Sequence, residues 1–252
     1  MTGVPSRAPG RPKPARIPSG DRLAYPPGEG RSLTLFDLDD TLLPLDSDHA
    51  WGEFMLRLGW VDAGEFKRRN DAFYAQYKVG ALDIHAYIEF ATGPLRARGP
   101  EAAAQAHRQF MQEVIVPNLR PAALQLVRSH QQRGDLIALV TATNDFITEP
   151  IAQALGIAEL IAVRLERGPG GTITGRIDGT PSYREGKVLR VQAWLAERDC
   201  SWQSFERISV YSDSVNDLAL LERATDAVAT NPTPALEAVA TERGWRVLKL
   251  FE

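Results

Sequence analysis

With 252 residues, 44% of them hydrophobic, the chain is long enough to bury a sizeable core, as one large domain or one domain with an insertion. A formal net charge of −3 and a pI near 5.9 give no general electrostatic reason to expect nucleic acid or an anionic membrane as partner. Cys200 is the sole cysteine, which rules out an intrachain disulfide and a thiolate metal site. No stretch approaches the ~20 apolar residues of a membrane span, and the N-terminus lacks the apolar core of a secretory signal, so the expected compartment is the cytoplasm.

Residues 1–30 hold seven of the 17 prolines and almost no apolar periodicity. Such a segment buries too little surface to offset its ordering entropy, and it is read as a disordered Pro/Gly/Arg-rich tail. Its six Lys and Arg through Arg31 are read as solvated rather than as a nucleic-acid or targeting segment. The β-type run "SLTLF" opens the folded part. From about Asp48 to Pro117 the pattern turns helical. "HAWGEFMLRLGW", "AGEFKRRNDAFYAQYKVG", "LDIHAYIEFATG" and "EAAAQAHRQFMQEVIV" each space apolar residues three or four apart, with Gly or Pro between them.

Alternation follows: helix "PAALQLVRSHQQRG", strand "DLIALVTA", helix "FITEPIAQALG", strand "ELIAVRLE", then a hairpin-like "GGTITGRIDG". Helix "EGKVLRVQAWLAER", strand "RISVYS", helix "NDLALLERA", strand "DAVAT", helix "PALEAVATERG" and strand "RVLKL" complete it. Strands alternating with helices over short connections predict a parallel sheet covered on both faces. The expected fold is therefore α/β, a doubly wound, Rossmann-like core over 31–47 and 118–252. An all-helical cap, 48–117, is inserted after the first strand.

In open parallel sheets, ligands bind outside the carboxyl ends of the strands. Asp37 and Asp39 end the first strand, Thr141 ends "LIALVT", and Asp213 follows "ISVYS". Asp217 begins the next helix, and Lys187 opens the helix before that strand. Each has a plain structural reading: an acid after a strand caps a helix, a Thr ending a strand packs, a Lys in a first turn is solvated. Together they bring acid, hydroxyl, cation and acid to one sheet edge. Asp37, Asp39 and Asp40 also place three carboxylates within four residues, and such charges raise one another's pKa unless a cation is shared.

The set "DLDDT", "ALVT", "EGK" and "SDSVND", in that order over residues 33–230, resembles the haloacid dehalogenase superfamily of phosphohydrolases. The resemblance implies Mg²⁺ held by Asp37, the backbone carbonyl of Asp39 and Asp213, with Asp217 close behind. It implies Asp37 as nucleophile forming an aspartyl-phosphate, and Asp39 as the acid and later the base. Thr141 and Lys187 would hold the phosphoryl oxygens. Asp40, in the variable place of the motif, is expected to face solvent, and Asn216 to support the metal loop.

The insertion lies where phosphoserine phosphatase and its relatives carry a small helical cap, which would close over the site and favour small substrates. Those enzymes read a substrate ammonium with a Glu soon after the first motif. Here Asp46, with Asp48 nearby, takes that place, although capping of "SDHAWGEF" by Ser47 or Asp48 is an equal reading. Their cap Arg for the substrate carboxylate aligns with Ile88, leaving Arg57, Arg68, Arg69, Arg96 or Arg98 as substitutes. "TATND" replaces "SGG" beside the second motif. An amine contact without a carboxylate clamp fits an amino-alcohol phosphate such as histidinol phosphate. Phosphoserine or a broad set of small esters is the alternative, as are transfer to an acceptor alcohol and a catalytically dead binding protein. His49, His85, His107 and His130 lack the spacing of a zinc site, though His49 or His85 could line the pocket. Trp51, Phe54, Trp60, Phe73, Tyr74 and Tyr77 are read mostly as cap core. The expected partner is a small phosphorylated metabolite, with no nucleic acid or membrane, for a monomer or homodimer.

Overall fold

Strand β1 (Ser32–Phe36) buries every residue after Ser32, the signature of a strand with sheet on both sides and cover on both faces. The computed structural model describes residues 30–251, so the tail expected over 1–30 lies, apart from Gly30, outside the described residues. After β1 come α1 (Ser47–Arg57), α2 (Ala63–Lys78), α3 (Ile84–Arg98) and α4 (Pro100–Phe110). A π-helical turn (Met111–Ile115) and a 3₁₀ turn (Val116–Asn118) lead into α5 (Pro121–Gln132). The remainder is β2 (Leu136–Asn144), α6 (Asp145–Ala154), β3 (Leu160–Val163), β4 (Leu165–Arg167), β5 (Ile173–Ile177) and α7 (Glu185–Ala196). It closes with β6 (Arg207–Ser212), α8 (Leu218–Leu221), β7 (Asp226–Thr230), α9 (Pro234–Arg243) and β8 (Arg246–Leu248).

The main sheet runs β3-β2-β1-β6-β7-β8 with every pair parallel. The chain winds outward from β1 in one direction, returns, and winds outward from β6 in the other. The crevice at the carboxyl ends of β1 and β6 is therefore the switch point at which such folds bind ligands. Alternate residues feed two cores. Leu33, Leu35, Ala138 and Val140 pack with Val191, Leu195, Leu220 and Leu236 from α7, α8 and α9. Phe36 and Leu139 face the other way, onto Val127 of α5 and Ile147 and Ile151 of α6. That second core continues into Trp51, Phe54, Leu95 and Phe110, so the helices after β1 share it with the sheet.

Asp46, Asp62 and Asp83 cap α1, α2 and α3 by accepting from amides in their first turns. The caps leave the expected Ser47 or Asp48 one and two residues inside α1. Three sequence expectations need correction. "ELIAVRLE" is not one strand: it divides at Arg164, and β4 leaves the main sheet to pair antiparallel with β5. The hairpin therefore joins Leu165–Arg167 to Ile173–Ile177 rather than closing within "GGTITGRIDG". Gly170 and Gly171 supply the positive φ angles, +68° and +78°, that its turn requires. "NDLALLERA" begins as a 3₁₀ turn (Val215–Asp217), and the α-helical part is only four residues long. The reason is Asp217, whose φ, ψ of −100° and 10° are not helical and whose side chain is bonded into the sheet edge. No helix of the described residues is long and apolar enough to cross a membrane.

Candidate active site

The amide of Asp37 donates to the Tyr211 carbonyl at 2.9 Å, extending the β1–β6 ladder one residue beyond the strand. The chain then folds on itself: the carbonyl of Leu38 accepts from the amides of Thr41, Leu42 and Leu43. Asp40 takes a left-handed φ of +56°, which Asp tolerates better than most residues. Asn231 fastens this turn by donating its Nδ2 to the carbonyls of Asp40 (3.0 Å) and Thr41 (3.3 Å). Asp37 and Asp39 are thereby held, both buried, at the end of β1.

Lys187 is 1% exposed, so the solvated reading of a first-turn lysine does not apply. Its Nζ donates to Asp37 Oδ1 at 2.7 Å and to Asp217 Oδ2 at 2.8 Å. Burial works against the ammonium, yet Asp217 and Asp37 outweigh it and hold its pKa above the usual value. Gly186 makes the approach possible, because a Cβ there would lie 2.1 Å from the Pro181 carbonyl oxygen. Ser212 Oγ also donates to Asp217 Oδ2, at 2.8 Å.

Acids outnumber the lysine. Burial, with Asp217 adding and Lys187 subtracting, pushes Asp37 up to about 7. Asp213 is pushed up to about 9 by burial and then by Asp37, Asp40 and Asp217. Asp39 is pushed up to about 7 by burial and Asp46, against the donors that reach it. Two buried carboxylates, Asp37 and Asp217, share the one Lys187 ammonium, and a third, Asp213, is raised by both of them, a set that suits a hard divalent cation with oxygen ligands.

Thr141 is buried, and its Oγ1 accepts from the amide of Thr143 at 3.1 Å. It does not end β2, which runs three residues further with a register shift against β3 between Val140 and Asn144. Thr143 belongs to the site although its sequence context did not single it out. Its Oγ1 donates to Asp39 Oδ2 at 2.7 Å, while the amide of Ser47 donates to Asp39 Oδ1 at 2.7 Å. The available signal was the pair of Thr at i and i+2, which point the same way from a strand.

Beside Asp39 lies a pocket walled by Asp46, Asp48, His49, Asn70, Tyr74, Tyr77, Leu82, Ile84, Tyr87, Ala142 and Thr143. Asp46 is occupied as the α1 cap, accepting from the His49 amide at 2.8 Å. Asp48 differs: one carboxylate oxygen, Oδ1, is buried without a partner, and Tyr87 hydrogen-bonds the side chain. Burial, then Asp46 and Asp39, hold its pKa well above the carboxylate range. Among the described residues, no Lys or Arg lines the pocket. Arg57, Arg68, Arg69, Arg96 and Arg98 are all exposed, three of them over the rings of Phe54, Phe90 and Trp60. Ile88 is buried beside Tyr87 and Val163 and does not face the pocket.

Asp40 does not face solvent as expected. Its left-handed turn brings the half-buried carboxylate to Lys78 Nζ of α2 at 2.9 Å. Asn216 reaches the same helix, donating its Nδ2 to the Tyr77 carbonyl at 2.9 Å. His49 lines the pocket with its ring 4.7 Å from that of Tyr74, whereas His85 is exposed and outside it. His107 and His130 are core residues. Ligand atoms of His49, Glu53 and Asp71 lie within 4.8 Å of one another, but Lys67 Nζ already bridges Glu53 and Asp71 at 3.1 and 3.3 Å.

Residues 34–222 match the family model for haloacid dehalogenase-like hydrolase. A histidinol-phosphatase of Neisseria meningitidis serogroup C (strain 8013) is 44% identical over 218 residues, spanning 86% of this chain and 98% of that one. A crystal structure of a protein of unknown function from Bordetella pertussis Tohama I superposes with a TM-score of 0.83 at 49% identity, covering 88% of this chain and 100% of that one. A substrate-bound phosphoserine phosphatase superposes with a TM-score of 0.62 at 16% identity, over 88% and 95% of the two chains, a likeness of fold alone.

Proposed function

The chain belongs to the haloacid dehalogenase-like hydrolase family, and from that premise we propose that it hydrolyses a small amine-bearing phosphate monoester, histidinol phosphate ahead of phosphoserine. The observation that carries the reaction is the buried ion triad of Asp37, Lys187 and Asp217 beside Asp213, at the switch point of the sheet. Its excess of carboxylate fits Mg²⁺, which Asp37, Asp213 and the carbonyl of Asp39 would hold. When bound, the ion supplies Lewis acidity toward a phosphoryl oxygen and offsets the repulsion among the acids.

Asp37 then attacks phosphorus in line. The ester P–O bond breaks, the leaving oxygen takes the proton of Asp39, and an aspartyl-phosphate remains. A water next attacks that phosphorus and gives its proton to Asp39. The bond to Asp37 breaks, phosphate leaves, and both acids are back in their starting states. Thr141 and Lys187 bind the equatorial oxygens, where charge is spread during transfer. The helices over 48–117 act as a cap that keeps bulk water from the core formed by 31–47 and 118–252. Asn216 supports the metal loop and joins it to that cap.

The substrate assignment rests on Asp48. A buried carboxylate with one unpartnered oxygen, among Tyr74, Tyr77 and Tyr87, suits a cationic amine, by ion pair and by ring faces. Among the described residues, walls without Lys or Arg leave a substrate carboxylate unmatched. The 44% identity to a histidinol-phosphatase supports the same choice.

The test is phosphate release with Mg²⁺ from histidinol phosphate, phosphoserine, phosphoethanolamine and sugar phosphates, with Asp37→Asn as blank. Histidinol phosphate is expected to lead in kcat/KM by about 100-fold, roughly 2.7 kcal/mol of transition-state discrimination. Equal rates would sink the substrate assignment alone. Activity surviving in Asp37→Asn would sink the nucleophile.

A further inference from the structure

We propose that Thr143 is a positioning residue for proton transfer. Its hydroxyl fixes the oxygen of Asp39 that carries the proton, and its amide aims the hydroxyl of Thr141 at the phosphate. The inference rests on the reading of Asp39 as the acid and base of the reaction.

Both oxygens of Asp39 are engaged, but by partners of different kinds. Oδ1 accepts from the Ser47 amide at 2.7 Å, and an amide N–H can only donate. That oxygen is committed to accepting. Oδ2 meets the Thr143 hydroxyl at 2.7 Å, and a hydroxyl rotates to suit: it donates to a carboxylate and accepts from a carboxylic acid. Oδ2 is therefore the atom that can gain and lose a proton while keeping a hydrogen bond in both states. Thr143 is 4% exposed, so no solvent would replace its hydroxyl there.

The amide of the same residue does a second job. It donates to Thr141 Oγ1 at 3.1 Å, occupying one lone pair and leaving the Thr141 proton free for an anionic oxygen. This local turn, with Ser or Thr bonded to the amide two residues on, falls where β2 shifts its register against β3. The irregular end of one strand thus aligns the proton donor with the phosphate-binding hydroxyl.

Thr143→Val keeps the β-branched shape and removes the hydroxyl, while Thr143→Ser keeps the hydroxyl. Both are compared with the unaltered enzyme on the alkyl phosphate it hydrolyses best and on p-nitrophenyl phosphate, whose phenolate leaves without protonation. Rapid mixing reads release of the leaving group in the first turnover. With Val, first-turnover release from the alkyl ester should fall about 30-fold. Nitrophenolate release should stay within about threefold, and Ser should restore the alkyl rate to within about threefold. Steady-state turnover of both esters should fall with Val, because the second step still needs the base. The proposal is overturned if Val matches the unaltered enzyme on the alkyl ester. It is equally overturned if Val slows both esters alike in the first turnover, or if Ser rescues nothing. Asp39→Asn, run alongside, separates this from the reading beneath it. If it fails to split the two esters, the role of Asp39 falls; if it splits them and Val does not, only Thr143 is misassigned.

Discussion

Among the described residues Asp48 holds one oxygen buried with no hydrogen-bond partner, and burial, then Asp46 and Asp39, raise its pKa against the hydrogen bond from Tyr87. An unsatisfied buried polar group costs ~1–3 kcal/mol, and folds keep such groups where a ligand completes them. Two opposite effects are therefore expected of Asp48→Asn. The melting temperature without substrate should rise by about 3 °C as the buried acid is removed. In the same variant kcat/KM for the amine-bearing ester should fall about 30-fold, with its desamino analogue unchanged. Thermal melts and paired kinetics check both, and a loss shared by the two esters would make Asp48 structural. Asp37, Asp39 and Asp213 were legible because they follow strands, and Lys187 because it opens the helix before β6. The choice between Asp46 and Asp48 was not, since both follow the turn after β1 and only the three-dimensional cap geometry shows Asp46 already bonded to His49. Thr143 escaped for a related reason: its partner, Asp39, is 104 residues away.

At the scale of elements, the C-terminal end of α2 is pinned to the sheet edge at three points. Lys78 pairs with Asp40, Asn216 donates to the Tyr77 carbonyl, and Arg184 donates to the Gly80 carbonyl at 3.0 Å. Asp40 neighbours Asp39 and Asn216 neighbours Asp217, so α2 and the site are mechanically joined. Half-exposed pairs contribute little to global stability, and their effect here is on local order. Lys78→Met should leave the melting temperature within about 2 °C while raising KM about fivefold. Hydrogen exchange should quicken at amides 77–82 and not in β1 or β6. Unchanged exchange there would mean that the pair holds nothing closed. Most elements of this kind were readable in the chain from apolar spacing of three and four with Gly or Pro between, whereas the cap of α1, read as Ser47 or Asp48, is Asp46. β4 and β5 were not, because the break at Arg164 follows from which sheet each half pairs with. No local signal in "ELIAVRLE" records that pairing.

Across the whole molecule, the acids of the candidate site make stability depend on pH and, through the Mg²⁺ proposed there, on metal. Asp37 and Asp39 are pushed up to about 7 and Asp213 to about 9, each from 3.8, with burial the first cause. Their folded values lie above their unfolded ones, so between 3.8 and 9 the folded state binds more protons. Their favourable contribution is complete at low pH and is lost as pH rises through 7 and 9. His107 acts in the opposite sense. Burial among Trp51, Phe110 and Phe146 lowers its pKa from 6.5, so it takes stability away as pH falls below 6.5 and is neutral above. His130, buried in the core, does the same. Between pH 6.5 and 9 the two histidines drop out, and the raised acids, Asp48 acting in the same sense, can be read together. With chelator present, the melting temperature should fall steadily across that window. Saturating Mg²⁺ at the proposed site would bind the deprotonated set, so it should raise the melting temperature little at pH 6.5 and by several degrees at pH 9, flattening the slope. Asp213→Asn should flatten the slope in chelator and remove most of the Mg²⁺ shift. A melting temperature that rises with pH in chelator would mean that these acids meet no net repulsion. A Mg²⁺ shift surviving in Asp213→Asn would place the ion elsewhere.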